Sequence, residues 1–341
     1  MIVENLMEFQ PVNLFIRVRN LLRDDVRVYL KSEMFNPGGS VKFKAAVGII
    51  RSLESSGHLA PGGAIIETTS GNMGIALALI ARHRGYGFIC VSDDKVTAHN
   101  RALIQAYGGE LVILPGSTLN DRFGYIRDRI SHDGSLVWTR QFSNGVNPET
   151  HEATTAREIL DTFQTVDYLF VGTGTGGTLA GIGRALSAAK RPVRLVAVDA
   201  EGSAHFPSQT VGARRRLPGI GASERSPFLD AAILHDIVHV PEHEAIRACR
   251  ELVYSTGWLL GASAGSVLFA IRKLQQSFRS GDLVVGIAAD SGERYLNELY
   301  NDEWVSLHFP NLRLGASAER LRRSEVDSRT RAPPWAPEER G

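Results

Sequence analysis

The chain has 341 residues, 43% of them hydrophobic and 22% charged, which suits a globular protein of about two domains and excludes disorder over most of its length. A formal net charge of +1 gives no general attraction to nucleic acid or to an anionic membrane, so neither is expected as a partner. Cys90 and Cys249 lie in an apolar run and a helical pattern without metal-ligand spacing, so both read as buried thiols and no metal is expected.

The N-terminus carries Glu4, Glu8, Arg17 and Arg19 and lacks the pattern of a signal peptide. The longest apolar helical run, Ile75 to Ala81, is too short to span a bilayer, and a cytoplasmic location is expected. Strand-like runs are predicted at 26–30, 64–67, 87–91, 111–114, 168–171, 195–198, 237–240 and 283–287. Between them, helical patterns cover 74–83, 97–107, 179–189, 243–254 and 264–278. Alternation of this kind predicts an α/β fold with doubly wound parallel sheets. From 311 onward arginine, serine, alanine and proline dominate, and a flexible basic tail is expected over 311–341.

Three strand ends run into glycine-rich turns that open helices, at 68–74, 172–178 and 261–265. Ligands of open parallel sheets bind outside the carboxyl ends of the strands, where helix N-termini present free N–H groups, so the three turns are expected to build one cleft. Lys42 stands after Asn36-Pro37-Gly38-Gly39-Ser40-Val41, a small-residue stretch that lets backbone approach a flat ligand. Its amine can form a Schiff base with an aldehyde cofactor.

Gly172, Gly174 and Gly177 satisfy G-x-G-x-x-G, and Asp199 closes the next strand where a ribose-binding acid would stand. Taken alone, that segment fits a dinucleotide, a phosphate monoester or a purely structural turn. Lys42, Asn72 and Ser263 decide among these. A pyridoxal ring needs an amine for its aldehyde, a partner for its phenolic oxygen and one for its ring nitrogen, whereas a nicotinamide needs none of them.

With these residues in order, the chain resembles the fold type II pyridoxal phosphate enzymes of the cysteine synthase family, whose fold is that of the tryptophan synthase β chain. The motifs that carry the resemblance are NPGGSVK, TTSGNMGIALA, GTGTGGTLAG, LPGIGAS, GASAG and SGERYL, spread over about 26–300. The resemblance implies that Lys42 holds pyridoxal 5'-phosphate covalently and handles the proton at the substrate's Cα. It also implies that Asn72 meets the ring oxygen, Ser263 the ring nitrogen, and Gly174, Thr175, Gly176, Gly177 and Thr178 the phosphate. Thr69, Ser70, Gly71 and Met73 would grip the substrate carboxylate with help from Gln141.

It further implies a small mobile domain over 40–145, inserted into a large domain made of 1–39 and 146–310, and a homodimer. Within the family, the stretches 124–130, 198–203 and 217–223 are similar to O-phosphoserine-dependent synthases of N-(1-amino-1-carboxy-2-ethyl)-L-glutamate. Those enzymes feed L-2,3-diaminopropionate into siderophore and antibiotic biosynthesis. The implied reaction is β-replacement on O-phospho-L-serine through an aminoacrylate, with L-glutamate as nucleophile. Arg129 is then the candidate for the substrate phosphate, and Gly219, Arg215 and Arg225 on and beside the 217–223 loop for glutamate.

Rival readings are a cysteine synthase using O-acetylserine or O-phosphoserine with sulfide, a serine or threonine dehydratase, and a non-catalytic nucleotide-binding module. Two departures bear on the choice. Phe43-Lys44 follows the reactive lysine where cysteine synthases have Asp-Arg, and their Thr-Pro-Leu element is not recognisable over 11–17.

Overall fold

The structure, a computed structural model, describes residues 5–9, 12–206, 208, 215–230 and 233–312. The expected basic tail lies outside the described residues from 313 onward.

Two sheets organise the molecule. The chain first lays down β1 (Leu14–Arg17) and β2 (Arg27–Ser32), then crosses through α1 (Lys42–Ser55) into a second unit. That unit contains β3 (Ala64–Thr68), α2 (Asn72–Arg84), β4 (Gly87–Ser92), α3 (Ala98–Ala106), β5 (Glu110–Ile113), α4 (Leu119–His132) and β6 (Leu136–Trp138). Its four strands are parallel in the order β5-β4-β3-β6.

The chain returns through α5 (Val146–Ala153) and α6 (Thr155–Thr162) to β7 (Tyr168–Gly172), α7 (Gly177–Ala188), β8 (Arg194–Ala200) and β9 (Asp236–Val240). It then forms α8 (Glu242–Thr256), α9 (Ala262–Lys273), β10 (Leu283–Ala288) and α10 (Asp302–His308). The large sheet has the order β1-β2-β10-β7-β8-β9, parallel except at the edge, where β1 runs antiparallel to β2.

Every residue of β10 is buried, as a central parallel strand covered on both faces requires. Helices α8 and α9, the latter through Val267, cover one face of the large sheet over Val196, Val198 and Val284, and α6 and α7, the latter through Ile182, cover the other over Leu169, Val171 and Val285. In the small unit α1 and α2 share a core of Phe43, Ile49, Ile75 and Ile80. Helix α5 bridges the units by close approach: a Cβ at Gly48 of α1 would meet Thr150 Oγ1 at 2.0 Å, and one at Gly181 of α7 would meet Pro148 O at 2.2 Å. Among the described residues no helix is long and apolar enough to cross a membrane, and no group of three or more His, Cys, Asp or Glu side chains could hold a metal ion.

A buried ion cluster ties β2, α1 and α6 together. Glu33 Oε1 lies 3.0 Å from Lys31 Nζ and 2.9 Å from Lys44 Nζ. Glu158 Oε2 lies 2.5 Å from Lys31 Nζ and 2.7 Å from Lys44 Nζ. Asn36 Nδ2 adds a 2.6 Å hydrogen bond to Glu33. Burial alone would raise the Glu33 carboxyl, but Lys44 and Lys31 together with the Asn36 bond hold it below its ordinary 4.5. The replacement of Asp-Arg by Phe43-Lys44 thus has a physical reading: Phe43 joins the small unit's core, and Lys44 completes a neutral set of four charges.

Removing one member leaves an unpaired charge in the interior, so Lys44→Ala is expected to lower unfolding stability by about 3–5 kcal/mol, seen as a lower urea midpoint. Because the Glu33 pKa is depressed, its contribution is complete above its ordinary 4.5 and is lost as the pH falls through the lower folded-state value.

Candidate active site

Lys42 is fixed from both sides of its peptide. Before it, the chain turns at Pro37–Gly39, where Gly38 and Gly39 have φ of 72° and 69°, values that side-chain-bearing residues rarely adopt. After the turn, Val41 N donates to Ala289 O at 2.8 Å and Ser40 forms a β-bridge with Asp290, docking the segment on the end of β10. The Arg294 guanidinium donates to Gly38 O and to Asn72 Oδ1, joining this loop to the one that follows β3. Lys42 Nζ projects into a cavity of about 190 Å³, 3.4 Å from Thr175 Oγ1. Burial lowers its pKa to about 8, which makes the neutral, nucleophilic amine accessible near neutral pH.

The end of β3 supplies the second wall, with Thr69, Ser70, Gly71, Asn72 and Met73 all lining the cavity. Gly71 N donates to Thr69 Oγ1 at 3.2 Å, and Asn100 Nδ2 holds Ser70 O at 3.1 Å. The N–H groups of Ser70, Asn72 and Met73 have no acceptor among the described residues, so the N-terminus of the 13-residue α2 offers donors to an anion. Gln141 is positioned by Glu67, whose Oε2 accepts from Gln141 N at 2.8 Å and from the Thr139 hydroxyl at 2.6 Å. Its side-chain amide donates to Thr68 O at 2.8 Å, which leaves Oε1 toward the cavity it lines.

The third wall is the turn between β7 and α7. Gly174, Thr175, Gly176 and Thr178 line the cavity, and their N–H groups have no acceptor among the described residues. Side chains from behind hold the turn: His205 Nε2 donates to Gly174 O at 2.6 Å, and the Ser226 hydroxyl donates to Thr175 O at 2.6 Å. Asn147 Nδ2 donates to Thr175 Oγ1 at 3.2 Å, and His151 Nε2 meets the Thr178 hydroxyl at 3.2 Å. Gly177 does not face the cavity; a Cβ there would strike Asn147 Oδ1 at 2.1 Å, so its place is a packing contact. A Cβ on Gly174 would meet Gly219 O at 2.7 Å, bringing the 217–223 loop against the cradle.

A family model for pyridoxal-phosphate dependent enzymes matches residues 11–290. The chain belongs to that family. It is 35% identical over 289 residues, 84% of this chain and 89% of the other, to O-ureido-L-serine synthase from Streptomyces lavendulae. A crystal structure of O-ureido-L-serine synthase superposes with a TM-score of 0.83 at 33% identity, covering 90% of this chain and 100% of that one. A crystal structure of the O-acetylserine-dependent cystathionine β-synthase from Helicobacter pylori gives 0.81 at 27% identity, covering 87% and 98%.

As a pyridoxal-phosphate dependent enzyme, the chain offers a donor set that fits the cofactor. The cradle's free N–H groups and the dipole of α7 match a phosphate, and among the described residues no carboxylate lies on that wall. Asn72 accepts from Arg294 and donates to Asp290 Oδ2 at 2.7 Å, which leaves one N–H for the phenolic oxygen. Ser263 stands at the start of α9 beside Gly172, with its hydroxyl making no hydrogen bond among the described residues, as a partner of the ring nitrogen must. Asp290 lines the same cavity with Oδ1 buried and unpartnered; burial raises its carboxyl, against hydrogen bonds from Tyr295 and Asn72 and the Arg294 charge.

The structure does not bring together all the arginines named from the sequence. Arg129 lies outside the cavity on the distal part of α4, where it donates to Tyr125 Oη at 2.9 Å. Arg122, one end of the same helix nearer the cleft, lines the cavity instead. Arg215 is tucked behind Gly221 and donates to Gly202 O at 2.7 Å, and Arg225 lines a neighbouring recess. Gly219 does line the cavity. Sequence patterns gave no sign of Arg122, Asn147, His151, His205 or Asp290. Arg294 sat within the SGERYL motif without an assigned role.

Cofactor-free protein is expected to capture pyridoxal phosphate faster as the pH rises through about 8 and no faster well above it, whereas an ordinary lysine would keep gaining toward 10.5. Stopped-flow absorbance measures this. The visible band of the covalently held cofactor is expected to vanish in Lys42→Ala.

Proposed function

We propose that this enzyme replaces the phosphate of O-phospho-L-serine by the amine of L-glutamate, forming N-(1-amino-1-carboxy-2-ethyl)-L-glutamate and phosphate for L-2,3-diaminopropionate synthesis. The observation that carries the reading is Arg122. Among the described residues it and Lys42 are the basic side chains on the cavity wall. Its Nε donates to Thr68 Oγ1 at 3.0 Å, and its Nη1 to Asp93 Oδ2 at 2.9 Å and to Ser117 O at 3.0 Å. That fork, ion-paired to Asp93, leaves Nη2 for a ligand and suits a phosphate ester, charged before and after it departs, better than a neutral acyl ester.

The chemistry the cofactor supplies when bound is an electron-withdrawing ring conjugated to the substrate's nitrogen, which acidifies Cα. The chain's own groups do the rest. The N–H groups of Ser70, Asn72 and Met73 bind the substrate carboxylate and so aim Cα at Lys42. Lys42, released when the substrate's amine takes its place, removes the Cα proton as a neutral base and later returns one. Ser263, a neutral hydroxyl on the cavity wall, would hold the ring nitrogen without adding charge, a setting that suits loss of a β-substituent. Arg122 stabilises charge on the departing phosphate. Closure of the small unit, about 40–145, over the carboxylate would exclude water until the nucleophile adds.

A second reading has support from the relative named O-ureido-L-serine synthase: β-replacement with an uncharged ureido nucleophile. Sulfide would make the enzyme a cysteine synthase. Incubating cofactor-loaded protein with O-phospho-L-serine and, separately, L-glutamate, hydroxyurea or sulfide, then weighing the products by mass spectrometry, separates the three. The glutamate adduct is expected to dominate; O-ureido-L-serine or cysteine as the main product would sink the assignment. Arg122→Met is expected to raise KM for O-phospho-L-serine ~10- to 100-fold, the worth of one charge-assisted hydrogen-bond pair, while leaving KM for O-acetyl-L-serine nearly unchanged.

A further inference from the structure

Beside the main cavity lies a second recess of about 200 Å³, with Leu119 and Phe142 forming walls of both. We infer that this annex binds the incoming nucleophile, and that Arg140 and Arg225 select one that carries carboxylates. The inference rests on the β-replacement reading and names the subsite through which the second substrate approaches.

The annex sits where the small and large units meet. One side comes from Trp138, Arg140 and the first turn of α4; the other comes from Glu224, Arg225 and His205. Arg140 has a φ of 54°, a left-handed conformation that a residue with a side chain holds only when its surroundings impose it. Ser143 N and Asn144 N both donate to its carbonyl, at 2.9 and 2.8 Å, and its guanidinium lies 5.1 Å over the Trp138 ring. The next residue is Gln141 on the main cavity wall, so the same short segment serves both spaces.

Arg140 and Arg225 are exposed at the mouth of the annex, and neither pairs with a carboxylate among the described residues. Glu224 is engaged by Asn120 Nδ2 of α4. The annex therefore offers two guanidinium groups for the two carboxylates of L-glutamate, whose amine must shed its proton to solvent before it adds to Cβ. Leu119, shared by both spaces, is three residues before Arg122 and so on the same face of α4, which places the annex next to the group assigned to the leaving phosphate.

Titrating cofactor-loaded protein with L-glutamate, followed by calorimetry and by the part of the tryptophan fluorescence that Trp138→Phe removes, tests the assignment without turnover. Wild type is expected to bind L-glutamate at least tenfold more tightly than L-glutamine or hydroxyurea. Arg225→Met and Arg140→Met each weaken glutamate binding at least tenfold, and Arg140→Lys retains part of it. In turnover, the variants raise KM for glutamate far more than they lower kcat. Glutamate affinity that is equal in wild type and both Met variants, or binding seen only as a change in cofactor absorbance, would overturn the annex. Failure of the wild type to release phosphate from O-phospho-L-serine, with glutamate binding still dependent on Arg140 and Arg225, would instead remove the reaction assignment and leave the subsite standing.

Discussion

The cleft depends on four charges that never meet solvent freely: Lys31, Glu33, Lys44 and Glu158. Taking such groups out of water costs several kcal/mol each, and only close, mutual pairing offsets it. Their value here is positional. Lys44 lies two residues beyond Lys42 in the first turn of α1, so the pairs to β2 and α6 fix the start of that helix against the large sheet. Because the set is neutral, it anchors the reactive amine without burying a net charge beneath it.

Helix α5 carries that order onward. It packs through glycine contacts on α1 and on α7, and its inward residues Asn147 and His151 reach Thr175 and Thr178 in the turn between β7 and α7. His151 also meets Thr155 at 3.0 Å, and Lys44 Nζ reaches the same hydroxyl at 3.5 Å. A continuous line of hydrogen bonds thus runs from the ion cluster to Thr178. Burial, with Lys44 and Lys42 nearby, pushes His151 down to about 3, so this link stays neutral.

The fold was legible where apolar runs were long. The eight expected strands and five expected helices all occur, with ends shifted by at most three residues except for α9, which stops at Lys273 rather than 278, because buried parallel strands and amphipathic helices advertise themselves by period. The four-residue β1 and three-residue β6 were not read, being too short to show a pattern, and the antiparallel edge is decided by pairing alone. Helix α1 hid behind the turn residues that precede Lys42. Asp199 invited a dinucleotide, yet it is fully buried, with Oδ1 accepting from Ala200 N at 2.9 Å and burial raising its pKa to about 6. Arg122 and Arg129 are two turns apart on one helix, and only depth in the fold distinguishes them. Motif reading finds groups that must touch a ligand, but it does not find those that hold the motif in place.

One consequence concerns electrical noise in the cradle. Both imidazoles behind it, His151 and His205, are buried and pushed below their ordinary value, and the remaining contacts are amides and hydroxyls that do not ionise near neutrality. The wall formed by the turn between β7 and α7 therefore keeps one fixed polarity across the range in which Lys42 gains or loses its proton. Of the three neighbouring lysines Lys31, Lys42 and Lys44, Lys42 alone pairs with no carboxylate among the described residues. The cradle thus contributes no titration of its own beside the amine that faces it.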